Sequence, residues 1–181
     1  MTAVGGDVVW YDGEHPVTYQ VVGKVAPVVE QALQMFSDDM LLVTGKKPVQ
    51  LQRAEAVHAS IRIVQGKGTD DGFCIRVQDG QVVVEGHNAR GTAYGVLELS
   101  RMADVSPWVW WGDVRPYSRS YPLTLPDTFC LDHTPSVEYR GIFINDEDWS
   151  LRPWSQDNMG PQTYKRLFQL MTSRSEERVS R

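Results

Sequence analysis

Phe73-Cys74-Ile75-Arg76-Val77-Gln78-Asp79-Gly80-Gln81-Val82-Val83-Val84-Glu85-Gly86 decides the fold of this 181-residue chain. Two runs of strand-forming residues flank Asp79-Gly80, a pair suited to a tight turn whose central residues both take positive φ. The spacing predicts a hairpin pairing residues 73–77 with 82–85, and with it a sheet edge. The period then changes. Ala93, Val96, Leu97 and Ser100 share one helical face, predicting a helix over residues 90–103 whose narrow face packs closely on that sheet.

Working outward toward the N-terminus, residues 60–64 and 49–51 read as further strands. Before them, Val25, Val28, Val29, Ala32, Leu33, Phe36 and Met40 recur at the spacing of an amphipathic helix laid on a sheet, with Pro27 in its first turn and Gly45 as a stop. Residues 8–11 and 17–22 are β-branched and aromatic runs separated by Asp12, Gly13 and Pro16, which predicts two short strands paired through a turn. The fold class expected is α/β (α+β): a mixed sheet with helices packed on it, occupying residues 1–135.

Toward the C-terminus the pattern loosens. Ser106-Pro107-Trp108-Val109-Trp110-Trp111-Gly112 leaves regular structure, and Pro116, Pro122, Pro126 and Pro135 punctuate the segment between it and residue 136. An apolar strand, Tyr139-Arg140-Gly141-Ile142-Phe143-Ile144, then runs into Asn145-Asp146-Glu147, so the strand is expected to be buried and its carboxyl end open. Tyr164, Leu167, Phe168 and Met171 predict a helix over 163–171, and the polar run from Thr172 to Arg181, with Val179 its one apolar residue, is expected to fray.

Composition excludes several classes. Hydrophobic residues make up 41% and charged residues 23%, the balance of a globular chain. A net charge of -5 gives no basic footprint for nucleic acid. No run approaches the roughly 20 apolar residues of a membrane helix. No export signal is visible in the first residues, and localisation is left open. None of the pairs Gly23-Lys24, Gly45-Lys46 and Gly66-Lys67 is followed by Ser or Thr, so a phosphate loop is not expected. Gly66-Lys67-Gly68-Thr69-Asp70-Asp71-Gly72 reads as a turn, because its third glycine is displaced from a dinucleotide fingerprint and a strand comes after it. His15, His58, His87 and His133 have no metal-ligand spacing, and neither a metal nor a cofactor is expected. No Gly-x-Ser-x-Gly elbow is present to hold a strained serine nucleophile. Cys74 and Cys130 share no short spacing; Cys74 reads as a buried free thiol, and no disulfide is expected.

The chemistry-bearing run is Asn145-Asp146-Glu147-Asp148-Trp149. In parallel α/β architectures, loops beyond the carboxyl ends of strands build the active site. Carboxylates beside an indole suit a sugar, whose hydroxyls need acceptors and whose C–H face packs on an aromatic ring. On composition alone the run reads first as a solvated acidic loop anchored by Trp149 and Trp154. Trp108, Trp110 and Trp111 read as interdomain packing before they read as an exposed, coplanar sugar platform.

Three stretches, Asp79-Gly80-Gln81-Val82-Val83-Val84-Glu85-Gly86, Arg90-Gly91-Thr92-Ala93-Tyr94-Gly95 and Ser106-Pro107-Trp108-Val109-Trp110-Trp111-Gly112-Asp113-Val114, resemble the N-terminal domain of glycoside hydrolase family 115. Tyr139-Arg140-Gly141-Ile142-Phe143-Ile144-Asn145-Asp146-Glu147-Asp148-Trp149 resembles the opening strand of that family's barrel. The resemblance covers about residues 7–171; its hairpin and helix-start elements are shared with related hexosaminidase and glucuronidase families.

It implies an α/β domain beside a (β/α)8 barrel. The implied activity is removal, with inversion, of glucuronic acid or its 4-O-methyl form from xylan side chains, so that the partner is glucuronoxylan or a related acidic oligosaccharide. Family members are often secreted or periplasmic. Carried over by position, Glu147 is the candidate catalytic residue and Asn145, Asp146 and Trp149 the candidate substrate contacts. Residues 136–181 are expected to be a truncated start of the barrel. Eight strand–helix units need on the order of 200 residues, and about 45 come after Val137. The chain alone is therefore expected to be an inactive fragment, with a non-catalytic carbohydrate-binding or interaction module as the alternative.

Overall fold

The computed structural model describes residues 6–112, 115–118, 120–144 and 151–173, apart from the side chains of Arg53 and Ala56. A six-stranded mixed sheet in the order β3-β2-β4-β6-β5-β8 forms its body. The strands are β2 (Thr18–Val22), β3 (Val49–Gln50), β4 (Ile61–Gln65), β5 (Phe73–Gln78), β6 (Gln81–Gly86) and β8 (Cys130–His133). β3, β2, β4 and β6 run parallel, and β5 lies antiparallel between β6 and β8. A separate ribbon pairs β1 (Val8–Tyr11) with β7 (Leu123–Leu125).

The hairpin forms as the sequence predicts, β5 and β6 pairing from Phe73↔Gly86 to Gln78↔Gln81, but it is not the expected sheet edge, because β8 pairs along the other side of β5. Asp79 and Gly80 both take positive φ, 52° and 76°, the conformation that matches the right-handed twist of the flanking strands.

The expected pairing of residues 8–11 with 17–22 does not form. Both are strands, but β1 pairs with β7 while β2 joins the main sheet between β3 and β4. The turn at Gly13 redirects the chain rather than closing a hairpin, because β2 finds parallel partners on both sides.

Helices α1 (Pro27–Thr44) and α2 (Ala89–Met102) pack against each other over the sheet. α1 buries Val29, Ala32, Leu33, Phe36 and Met40 of the predicted stripe and Val43 beyond it, while Val25 precedes the helix and Val28 is half-buried. It ends where Gly45, at φ 72°, donates its N–H to the Leu41 carbonyl. α2 is capped by Asn88, whose side chain accepts from Gly91 N. Its Val96, Leu97 and Leu99 face Ile61, Ile63, Ile75, Val82 and Val84 in one core. The close approach needs small residues: a Cβ on Gly86 would sit 2.0 Å from the Thr92 nitrogen. Trp10, Tyr11, Leu123 and Leu125 bring the ribbon into the same core.

After β8 come a short helix, α3 (Leu151–Trp154), and α4 (Pro161–Ser173), which runs past the predicted break at Thr172 and buries Thr163, Leu167 and Leu170. Among the described residues no helix is long and apolar enough to cross a membrane.

Candidate functional site

Asn145, Asp146, Glu147 and Trp149, the sequence-predicted site residues, lie outside the described residues. The chain leading to them is described, and it differs from expectation. Residues 139–144 form no strand, and Tyr139 is 87% and Phe143 89% exposed. A strand is held by hydrogen bonds to neighbours and by an apolar face covered by other elements. Among the described residues, no strand pairs with this run, so its apolar side chains stand in water.

Arg140 nevertheless fastens the run to the body. Its Nη2 donates to Asp71 Oδ2 at 3.0 Å and to the Tyr94 hydroxyl at 3.3 Å, while Nη1 donates to the Val137 carbonyl at 2.5 Å. The guanidinium also lies 5.7 Å from the Tyr94 ring centroid. Asp71 is 6% exposed and fully engaged. Asn88 Nδ2 donates to it at 2.9 Å and Arg90 Nε lies 3.1 Å away. Burial alone would raise the Asp71 carboxyl, but the bonds from Asn88 and Arg140 and the Arg90 charge outweigh it and hold the group below its ordinary value. One buried carboxylate thus joins the glycine-rich turn, the start of α2 and residue 140. The sequence marks Asp71 only as part of a turn; that its side chain points inward, toward two arginines distant in sequence, is a tertiary fact.

A second cluster joins the tryptophan segment to α3 and α4. Trp110 meets Trp111 at 4.8 Å and Trp154 at 5.3 Å, both edge-to-face, and Trp111 stacks on Trp154 at 5.7 Å. The Arg166 guanidinium sits 5.3 Å from the Trp110 ring centroid. The rings meet edge-to-face and stacked rather than lying side by side in one plane, while Trp110 and Trp154 stay 37% and 48% exposed. Beside them opens a cavity of about 570 Å³ lined by Trp110, Arg115, Trp154, Gln156, Gln162 and Arg166 among others. Asp157, also on its wall, accepts from Thr163 Oγ1 at 2.5 Å and from Gln162 N at 2.6 Å. The Thr163 bond first, then backbone N–H groups, hold its carboxyl low, so it serves the start of α4. Nearby, burial, reinforced by the Asp38 charge, pushes the Asp39 carboxyl up to about 6.

Among the described residues no group of three or more His, Cys, Asp or Glu is placed to hold a metal ion.

Residues 132–174 match the model of Glycosyl hydrolase family 115. A solved family 115 4-O-methyl-α-glucuronidase with specificity for decorated arabinogalactans is 34% identical, with a TM-score of 0.78 over 90% of this chain. The resemblance to glycoside hydrolase family 115 is thereby shown. The chain spans 24% of the length of that glucuronidase. A β-hexosaminidase of Streptomyces plicatus, 20% identical, aligns over 76% of this chain and 25% of its own with a TM-score of 0.51. A chitobiase of Flavobacterium johnsoniae, 13% identical, aligns over 78% of this chain and 20% of its own with a TM-score of 0.52. These two share the fold alone with the family 115 body. No curated protein sequence matches the chain.

Proposed function

We propose that this chain is the N-terminal domain (residues 1–135) and barrel opening (residues 136–181) of a family 115 α-glucuronidase, one that removes glucuronic acid or 4-O-methylglucuronic acid from polysaccharide side chains such as those of xylan. One observation carries the reading: the family match over residues 132–174 encloses the whole run from Asn145 to Trp149, within a chain 34% identical to a solved glucuronidase. Glu147 is the catalytic candidate, and Asn145, Asp146 and Trp149 contact the sugar. Inversion needs two carboxyl groups roughly 6.5–9.5 Å apart with a water between one of them and the anomeric carbon. The second carboxyl would come from elsewhere in a complete barrel, and the 181 residues alone are accordingly expected to release no uronic acid.

Grafting residues 7–171 in place of the matching stretch of the solved glucuronidase tests the assignment. Uronic acid release from arabinogalactan or glucuronoxylan should persist in the graft and fall by at least about 100-fold with Glu147→Gln. A Glu147→Gln graft as active as its parent would remove Glu147 from the mechanism. Release by the ungrafted chain would show that both carboxyl groups lie within these 181 residues.

A second reading, a non-catalytic module that binds acidic carbohydrate, draws support from the cavity where two indoles meet Arg115 and Arg166. It predicts saturable quenching of tryptophan fluorescence by glucuronic acid but not by glucose.

A further inference from the structure

Cys74 and Cys130, far apart in sequence, lie on neighbouring strands at one edge of the main sheet. β5 and β8 pair with Cys74 opposite Asp132 and Arg76 opposite Cys130, so the two cysteines are diagonal neighbours. Strand alternation turns Phe73 and Ile75 into the core, where the Phe73 ring meets His133 at 5.3 Å. Cys74, Arg76 and Cys130 therefore share the opposite face. Diagonal neighbours on one face of an antiparallel pair stand about 7–8 Å apart at Cα and nearer at Cβ, at the outer limit of disulfide reach, so a bond between them has to draw β8 toward β5.

Both thiols are free, Cys130 exposed and Cys74 half-buried. Burial chiefly raises the Cys74 thiol, and a side-chain hydrogen bond with Cys130 is among its further influences. Arg76 Nη1 lies 3.7 Å from Cys74 Sγ, and its Nη2 is fixed by Glu85 Oε2 at 2.8 Å. The guanidinium offsets part of the rise that burial causes but leaves the Cys74 thiol above its ordinary value, so the exposed Cys130 is the thiol that reacts first.

We propose that Cys74 and Cys130 are an oxidative modification site, forming a reversible cross-strand disulfide that staples β8 to β5. A small-molecule disulfide, for which oxidised glutathione is the probe, supplies the oxidant. The exposed Cys130 thiolate attacks one of its sulfurs; the S–S bond breaks and one glutathione thiolate leaves. The Cys74 thiolate then attacks the Cys130 sulfur of the mixed disulfide, forms the Sγ–Sγ bond and expels the second glutathione. The protein gives up two electrons and two protons, and the oxidant becomes two thiols. The bond forms on the face opposite Phe73 and Ile75. The closed loop contains α2 and the tryptophan segment, and its far end is the strand immediately before the barrel opening.

The test incubates the folded chain with oxidised glutathione and tracks intact mass, thiol count and oligomeric state. The expected product is a monomer with no titratable thiol, a mass lower by two hydrogens, and a digest in which the Cys74 and Cys130 peptides are joined. Cys130→Ser should leave Cys74 as a free thiol or a glutathione adduct. The oxidised chain should melt several degrees above the reduced one, an increment absent from Cys74→Ser. Two glutathione adducts on one chain, unreacted thiols, chain-to-chain disulfides, or an internal disulfide that leaves the melting midpoint unchanged would each overturn the proposal.

Discussion

Phe36 on α1 and Phe168 on α4 are the same residue on two helices of the same amphipathic kind, yet Phe36 is 0% exposed and Phe168 59%. α1 lies over a sheet whose inner face is lined by Ile61, Ile63, Ile75, Val82 and Val84, all fully buried. α4 has the tryptophan cluster and part of α2 on one side, and on the other a shallow apolar groove with Tyr164 and Phe168. Helix formation depends on local spacing, whereas burial depends on what lies opposite. Between the two regions the chain passes through residues 139–144, held chiefly by Arg140.

The sharpest way to break that contrast is to truncate the two phenylalanines. Phe36→Ala should cost about 3–5 kcal/mol in urea unfolding, the loss of a filled core site. Phe168→Ala should stay within about 0.5 kcal/mol. Equal losses would mean that the Tyr164 and Phe168 face of α4 is covered after all. Limited proteolysis probes the same boundary: cleavage should appear within residues 134–144 well before any site in β4, β5 or β6 is cut, and early cuts in the sheet would reverse the ranking of the two regions.

The clamp between the regions should respond to charge. Asp71→Asn leaves Arg90 and Arg140 facing a neutral amide and should destabilise the chain by about 1–3 kcal/mol near pH 7. Because the folded Asp71 carboxyl is held below its ordinary value, its contribution is present at neutral pH and is lost as pH falls through the folded value. The melting points of parent and variant should therefore converge in acid; a gap that persists there would point to shape rather than charge.

Asp39 has the opposite sign. Its carboxyl is pushed up to about 6 in the fold, so the parent loses stability as pH rises from the ordinary carboxyl range through about 6. Asp39→Asn should raise stability at pH 7 by about 1 kcal/mol or less and change nothing below the ordinary carboxyl range. A destabilised variant at pH 7 would mean that the ionised carboxylate is needed by a neighbour.

Much of the body was legible in the chain itself. The Asp79-Gly80 turn, the α1 stripe and the α2 face arise from periodicity and turn chemistry acting over a few residues, and each stands where the spacing put it. Two of the short strands were not legible. Leu123-Thr124-Leu125 and Cys130-Leu131-Asp132-His133 are too brief to carry a period, and only partners distant in sequence make them strands. The run at 139–144 shows the converse: a strong strand pattern that forms no strand without neighbours. At the candidate site, the run from Asn145 to Trp149 was found by its acids and its resemblance, while Asp71, Arg115 and Arg166 carried no local signal.

Composition and spacing by themselves determined a globular mixed α/β chain, the residues that face its core, and a family resemblance carried by a few contiguous motifs. Those are properties of neighbours along the backbone, set by 2-residue and 3.6-residue repeats. Tertiary structure alone decided that β1 leaves β2 for β7, that Asp71 meets Arg140, and that Cys74 lies diagonal to Cys130. Each joins residues tens of positions apart, and such pairings are selected only when the whole sheet closes its hydrogen bonds and buries its apolar face together.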